Sequence, residues 1–131
     1  MLLVIDANVL FSSLIKDGMT CKLLFRDEFV FYAPDFLLDE LSKHKELLLS
    51  KTNRSAASFE EVLDVLLRRI NFVSFKDLVP YLFRASRICP DENDLPYFCL
   101  ALKLGCGIWS QDKRLAEQNI VRIWRTEELL C

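Results

Sequence analysis

The sequence predicts an α/β fold, a three-layer α/β/α sandwich around a five-stranded parallel sheet. Five short apolar runs alternate with longer helical stretches, the order expected of strands joined by helical crossovers. The hydrophobic fraction is 52%, enough for a continuous core, and only three Gly and four Pro leave little room for long loops. At 131 residues the chain is one domain's worth, so a single domain over 1–131 is expected.

The elements follow in order. Leu2–Ile5 is a short run of aliphatic residues, the mark of a strand buried on both faces. Asn8–Ile15 and Thr20–Arg26 read as helices. Phe29–Tyr32 is the second strand, and Pro34 suits the first turn of a helix over Asp35–Ser50. Ser58-Phe-Glu-Glu61 has the spacing of a capping box opening a helix to Arg69. Asn71–Phe75 is the third strand, and Asp77–Arg87 is a helix distorted near its start by Pro80. After the turn Pro90-Asp-Glu-Asn-Asp94 comes helix Asp94–Lys103, with Gly105 where a glycine cap belongs. Gly107–Ser110 is the fourth strand. A short helix, Lys113–Glu117, leads to the fifth strand, Ile120–Trp124, and Thr126–Leu129 is a terminal turn.

Composition excludes several classes. No apolar run reaches the roughly 18 residues that span a bilayer. The first residues lack the basic region and cleavage site of a signal peptide, so a cytoplasmic protein without membrane attachment is expected. The five cysteines (Cys21, Cys89, Cys99, Cys106, Cys131) are odd in number and form no C-x-x-C pair, which suggests buried thiols in a reducing compartment. The net charge of −2 is thin for a nucleic-acid binder. A cluster of acids that holds metal would explain it, because bound cations cancel the repulsion.

Such a cluster is visible in the pattern. Asp6 immediately follows the first strand and Asp112 the fourth, so both lie at carboxyl ends, where open parallel sheets bind ligands. On helix Asp35–Ser50, at about 100° per residue, Leu37, Leu41 and Leu48 form the apolar centre, Phe36 and Leu47 extend that face to one side, and Glu40 falls between Phe36 and Leu37 inside the apolar arc. Asp35, Asp39 and Glu46 fall on the opposite side. Asp94 opens a helix that is apolar almost all round. Inward carboxylates need partners, and inward bases are few: His44, Arg84 and Arg87 are the candidates. Hard oxygen donors with missing positive charge point to Mg²⁺ or Mn²⁺ rather than zinc. Taken singly, each acid also has a structural role open to it. Asp6 and Asp112 could cap helices, Asp94 could complement a helix dipole, and Glu40 could pair with a base or reach the rim.

These residues resemble the PIN-domain family over nearly the whole chain. Val4-Ile-Asp-Ala-Asn-Val-Leu-Phe-Ser12 is similar to the family's opening strand and D-x-N motif. Ala33-Pro-Asp-Phe-Leu-Leu-Asp-Glu-Leu41 is similar to its second motif, and Asp91-Glu-Asn-Asp-Leu-Pro-Tyr-Phe-Cys-Leu-Ala-Leu102 to its third. Ile108-Trp-Ser-Gln-Asp-Lys-Arg-Leu115 fits the [ST]-x-D ending. The resemblance implies a PIN-like five-stranded sheet and an acidic quartet of Asp6, Glu40, Asp94 and Asp112. Asn8 and Ser110 would support it, with Asp91 an accessory acid at the rim. Ala7 departs from the pattern, since Thr or Ser is frequent there.

The activity implied is divalent-metal-dependent hydrolysis of RNA, leaving a 5′-phosphate and a 3′-hydroxyl. Four carboxylates cannot crowd together uncompensated, since like charges about 4 Å apart repel by about 4 kcal/mol at an effective dielectric near 20. Asp6, Asp94 and Asp112 would form the principal metal site. Glu40 would serve a second site or orient the attacking water. Lys113, Arg114 and Arg84 are candidates for substrate phosphates. Three readings stay open. The chain could be a VapC-like toxin with an antitoxin partner, a stand-alone RNA-processing enzyme, or a weak or inactive PIN-like module that binds RNA or protein. A phosphatase of the haloacid dehalogenase type would need D-x-D, and Asp6-Ala-Asn8 lacks the second acid. A homodimer is expected from the small size and high apolar content.

Overall fold

The computed structural model describes residues 1–16 and 18–130. Five strands form one all-parallel sheet in the order β3-β2-β1-β4-β5: β1 (Leu2–Ile5), β2 (Val30–Pro34), β3 (Ile70–Val73), β4 (Gly107–Trp109) and β5 (Ile123–Trp124). The buried run Leu3, Val4 and Ile5 explains why β1 is central. It pairs with β2 through Val4 and Tyr32, and with β4 through Ile5 and Trp109. The chain builds outward from β1 to β2 and β3, then crosses to β4 on the other side. The order therefore reverses at the β1–β4 boundary, and a crevice opens beyond the carboxyl ends of these two strands.

Helices cover both faces. On one side α1 (Ala7–Ile15) contacts α2 (Met19–Leu24), α3 (Phe36–Lys51) and α4 (Ala56–Arg68). On the other, α5 (Phe75–Leu78) and α6 (Leu82–Ile88) contact α7 (Leu95–Leu104), which lies across β1, β2 and β4. The last helix is α8 (Thr126–Leu129). As the wheel predicts, α3 buries Leu37, Leu41 and Leu48. Likewise α7 buries Tyr97 to Ala101 continuously. Gly105 adopts φ 63°, the left-handed cap that ends α7 without steric cost. Trp109 is fully buried, and its indole N–H donates to Thr126 Oγ1 at 3.0 Å.

Several boundaries differ from the sequence expectation. Pro34 ends β2 rather than opening α3 and pairs with Val73. The Asp35 N–H points to the Val73 carbonyl of β3, so the nitrogen of Pro34 faces the other way. It faces Ile5, the last residue of β1, so the missing N–H falls at the very end of the β1–β2 ladder. The cap of α4 is Ser55, whose Oγ accepts from Ser58 N–H at 3.1 Å, because Ala56 and Ala57 extend the helix back past Ser58. The expected helix 77–87 is split by a 3-10 turn, Val79–Tyr81, at Pro80. The last strand starts at Ile123, not Ile120. Gln118 Oε1 accepts from the N–H groups of Ile120 and Val121 at 2.9 and 2.8 Å, bending that segment away from the sheet. Of the described thiols, Cys99 is buried while Cys21, Cys89 and Cys106 are half-buried, and Cys131 lies outside the described residues. Among the described residues no helix is long and apolar enough to cross a membrane.

Candidate active site

The site begins where β1 and β4 end side by side. The Asp6 N–H donates to the Trp109 carbonyl at 3.1 Å, which sets the two carboxyl ends at one level. Ser110, fully buried one residue beyond β4, donates its hydroxyl to Asp6 Oδ2 at 2.7 Å. Ser110 Oγ in turn accepts the N–H of Asp112 at 3.0 Å. One hydroxyl thus ties Asp6 to Asp112, and its bond to Asp6 spans 104 residues of sequence. Asp6 stands at the N-cap of α1, yet its side chain makes no capping hydrogen bond and turns to Ser110 instead.

Asp6 is only 6% exposed. Burial raises its carboxyl above the ordinary range, the hydroxyl of Ser110 partly offsets this, and the charge of Asp112 adds to it. Glu40 reaches the same place from α3. It accepts the Tyr97 hydroxyl at 2.5 Å; burial raises its carboxyl, that bond partly offsets the rise, and the Asp6 charge adds to it. Tyr97 is buried on α7, and its phenol is raised by burial and by Glu40. Asp94 ends a 3-10 turn, Glu92–Asp94, and stands at the N-cap of α7 without making a capping bond. Burial, then the charges of Asp6, Asp91, Asp112 and Glu40, push it up to about 6. The other four acids thus all lie close enough to Asp94 for their charges to act on it.

The outer edge is neutralised differently. Asp112 Oδ1 accepts from the backbone and Nε of Arg114 at 3.0 and 3.3 Å, and its Oδ2 from Nη2 at 3.1 Å. The Arg114 hydrogen bond holds the Asp112 carboxyl below its usual range. The same guanidinium reaches Asp91 Oδ2 at 3.6 Å. Arg114 is thus a counter-ion of the carboxylates as well as a candidate for substrate. Asp91 also accepts the N–H of Asn93, and its carbonyl accepts the Cys89 thiol at 2.9 Å, which fixes the rim loop. Asn8 is exposed on the first turn of α1 and lines a hollow with Ser12, Gln111 and Asp112. Lys113 and Arg84 are exposed, and among the described residues neither has a hydrogen bond or ion pair to the carboxylates.

Tyr97 and the Arg114–Asp91 contact escaped the sequence reading. Tyr97 carried one signal: it lies three residues after Asp94, on the same helical face. The partner on α3 is 57 residues away and left no local trace.

The oxygen donors suit a hard divalent cation. Five carboxylates meet one guanidinium, and Asp94 is raised first by burial and then by the charges of the other four acids. Among the described residues no three His, Cys, Asp or Glu side chains are gathered closely enough to hold a metal as placed. Each of three acids is turned to a protein partner: Asp6 to Ser110, Glu40 to Tyr97, and Asp112 to Arg114.

A family profile described as PIN domain matches residues 4–131. No curated protein matches the chain.

Proposed function

The chain belongs to the PIN-domain family, a nuclease-type family that typically uses divalent metal, and from that premise we propose a divalent-metal-dependent endoribonuclease. The observation that supports this best is the convergence of Asp6, Glu40, Asp94 and Asp112 on the β1–β4 crevice, with Ser110 bridging two of them. Asp6, Asp94 and Asp112 would hold the principal Mg²⁺ or Mn²⁺, Glu40 a second ion or the attacking water, and Asp91 the rim. A bound ion would supply positive charge to the scissile phosphate and make a water more acidic.

The chain's own side chains would do the rest. Ser110 holds Asp6 in one orientation, so its second oxygen stays directed without reorganisation. Glu40, raised by burial and steadied by Tyr97, is suited to take a proton from the attacking water. Asn8 lines the hollow beside Asp112, where its amide can donate to a phosphate oxygen. Arg114 can turn from Asp112 to a phosphate once the acids are otherwise neutralised, and Lys113 and Arg84 would add charge farther out.

The test is cleavage of labelled single-stranded RNA with Mg²⁺ or Mn²⁺. Asp6→Asn and Asp94→Asn should each lose about 100-fold or more in rate, and wild-type products should carry 5′-phosphates. Equal rates in all three proteins would overturn the site. A role as the toxin of a toxin–antitoxin pair predicts growth arrest on expression that Asp6→Asn relieves. Pairing with an antitoxin and homodimer formation are tested by co-purification and light scattering.

A further inference from the structure

Beside the carboxylates the surface continues into a groove between α1 and α3. The hollow containing Asp112 has a volume of about 270 Å³ and is lined by Asn8, Ser12 and Gln111. A second hollow of about 300 Å³ is lined by Asn8, Phe11, Ser12, His44, Leu47 and Lys51. Asn8 and Ser12 belong to both, so the two join over α1 into one path leading away from Asp112.

The lining of that path is unlike the rest of this acidic chain. Its bases are His44 and Lys51, and among the described residues lining it the acid is Asp112, at the carboxylate end. The charges of His44 and the adjacent Lys43 reach Glu40, so this cationic side abuts the carboxylates. Between the bases stand apolar surfaces. Leu47 is 52% exposed, and the Phe11 ring meets the His44 imidazole edge-on with centroids 5.6 Å apart. An aliphatic and aromatic floor flanked by the Lys51 ammonium and the His44 imidazole, a ring N–H donor, suits a flexible polyanion whose flat bases can be covered while its phosphates are held. The apolar hollow between α2 and α4, lined by Phe25, Glu61 and Val65, shares no residue with the carboxylate rim.

We infer that the α1–α3 groove holds the stretch of single-stranded RNA adjoining the bond that is cut, with bases against Phe11 and Leu47 and phosphates at His44 and Lys51. The inference rests on the nuclease reading for the identity of the polymer, and it adds where the strand runs. It also assigns His44, whose neighbours Lys43 and Lys45 suggest a wet helix face in sequence, to the substrate path.

The experiment compares wild type with His44→Ala, Lys51→Gln and, as an off-path control, Lys76→Gln on α5. Each of these side chains is exposed, so folding is preserved. Steady-state cleavage of a labelled single-stranded RNA is read as separate kcat and KM values over a range of salt, alongside light scattering. His44→Ala and Lys51→Gln should raise KM about three- to tenfold, as expected for the loss of one hydrogen bond, and Lys51→Gln should leave kcat unchanged. Lys51→Gln should flatten the log KM against log salt slope by about 0.7, the share of one phosphate on a single strand. A trimmed substrate too short to leave the crevice should lose these differences, and Lys76→Gln should match wild type. Groove variants identical to wild type in KM and salt slope would overturn the path and leave the nuclease reading standing. So would a change of oligomeric state with RNA kinetics unaltered, which would make the groove an interface between copies. Absence of cleavage by wild type itself would remove both readings.

Discussion

Replacing Asp94 with Asn should make the metal-free protein more stable while removing its response to metal. The carboxyl of Asp94 is pushed from 3.8 to about 6, first by burial and then by four other acids. Its charged form is thus less welcome in the folded chain than in the unfolded one. At roughly 1.36 kcal/mol per pH unit, that displacement corresponds to at most about 3 kcal/mol at neutral pH. Asp94 is only half-buried, and solvent screening reduces this to about 1 kcal/mol. The amide removes the charge in nearly the same volume, and no capping bond is lost, because Asp94 makes none at the start of α7. For a domain of this size about 1 kcal/mol is worth about 3–5 °C in Tm. In EDTA at pH 7.5, Asp94→Asn should therefore melt a few degrees above wild type. Mn²⁺ at about 100 times its Kd should raise wild type by about 2.7 kcal/mol, while the variant responds little. Differential scanning calorimetry with and without Mn²⁺ measures both. A variant that melts below wild type in EDTA, or gains as much from Mn²⁺, would refute the account of crowded like charges relieved by a cation.

Other outcomes follow from the same coordinates. Asp94, Asp6 and Glu40 all bind protons more tightly folded than unfolded. Their contributions are fully present below the ordinary carboxylate range and are lost as pH rises through the raised values, about 6 for Asp94, so metal-free wild type should melt a few degrees higher at pH 5 than at pH 7.5, and a flat profile would count against it. Asp112 runs the other way, losing its contribution only below the ordinary carboxylate range. Ser110→Ala strips buried Asp6 of its 2.7 Å donor, which should cost about 1–3 kcal/mol and lower Tm by several degrees while a Mn²⁺ response persists. Unchanged thermal stability would show that the bridge carries no weight. Gly107→Ala would place a Cβ 2.6 Å from the Arg122 carbonyl oxygen and 2.8 Å from the Trp124 ring, an overpacking cost of about 1–3 kcal/mol. Urea unfolding with a midpoint equal to wild type would contradict that crowding.

What could be read along the chain was whatever depends on near neighbours. The alternation of apolar runs and helical stretches determines a parallel α/β fold, and with it the placement of Asp6 and Asp112 at carboxyl ends. The wheel of α3 puts Glu40 between Phe36 and Leu37, because helical periodicity repeats within a few residues. Element ends were less legible at Pro34, Ser55 and Ile120. There the outcome turned on a strand partner, a hydroxyl three residues upstream, or the Gln118 side chain.

Only the tertiary structure decided which strands became neighbours, and therefore which side chains meet. The order β3-β2-β1-β4-β5 brings Asp6 to Ser110, and the packing of α7 near α3 brings Tyr97 to Glu40. These contacts join residues 104 and 57 positions apart, and no local pattern encodes them, since they form when separate apolar faces bury each other. The tie between Arg114 and Asp91, and the groove between α1 and α3, arise in the same way. The sequence thus chose the chemical groups and the edge of the sheet they occupy, and the folded packing set the distances at which they act.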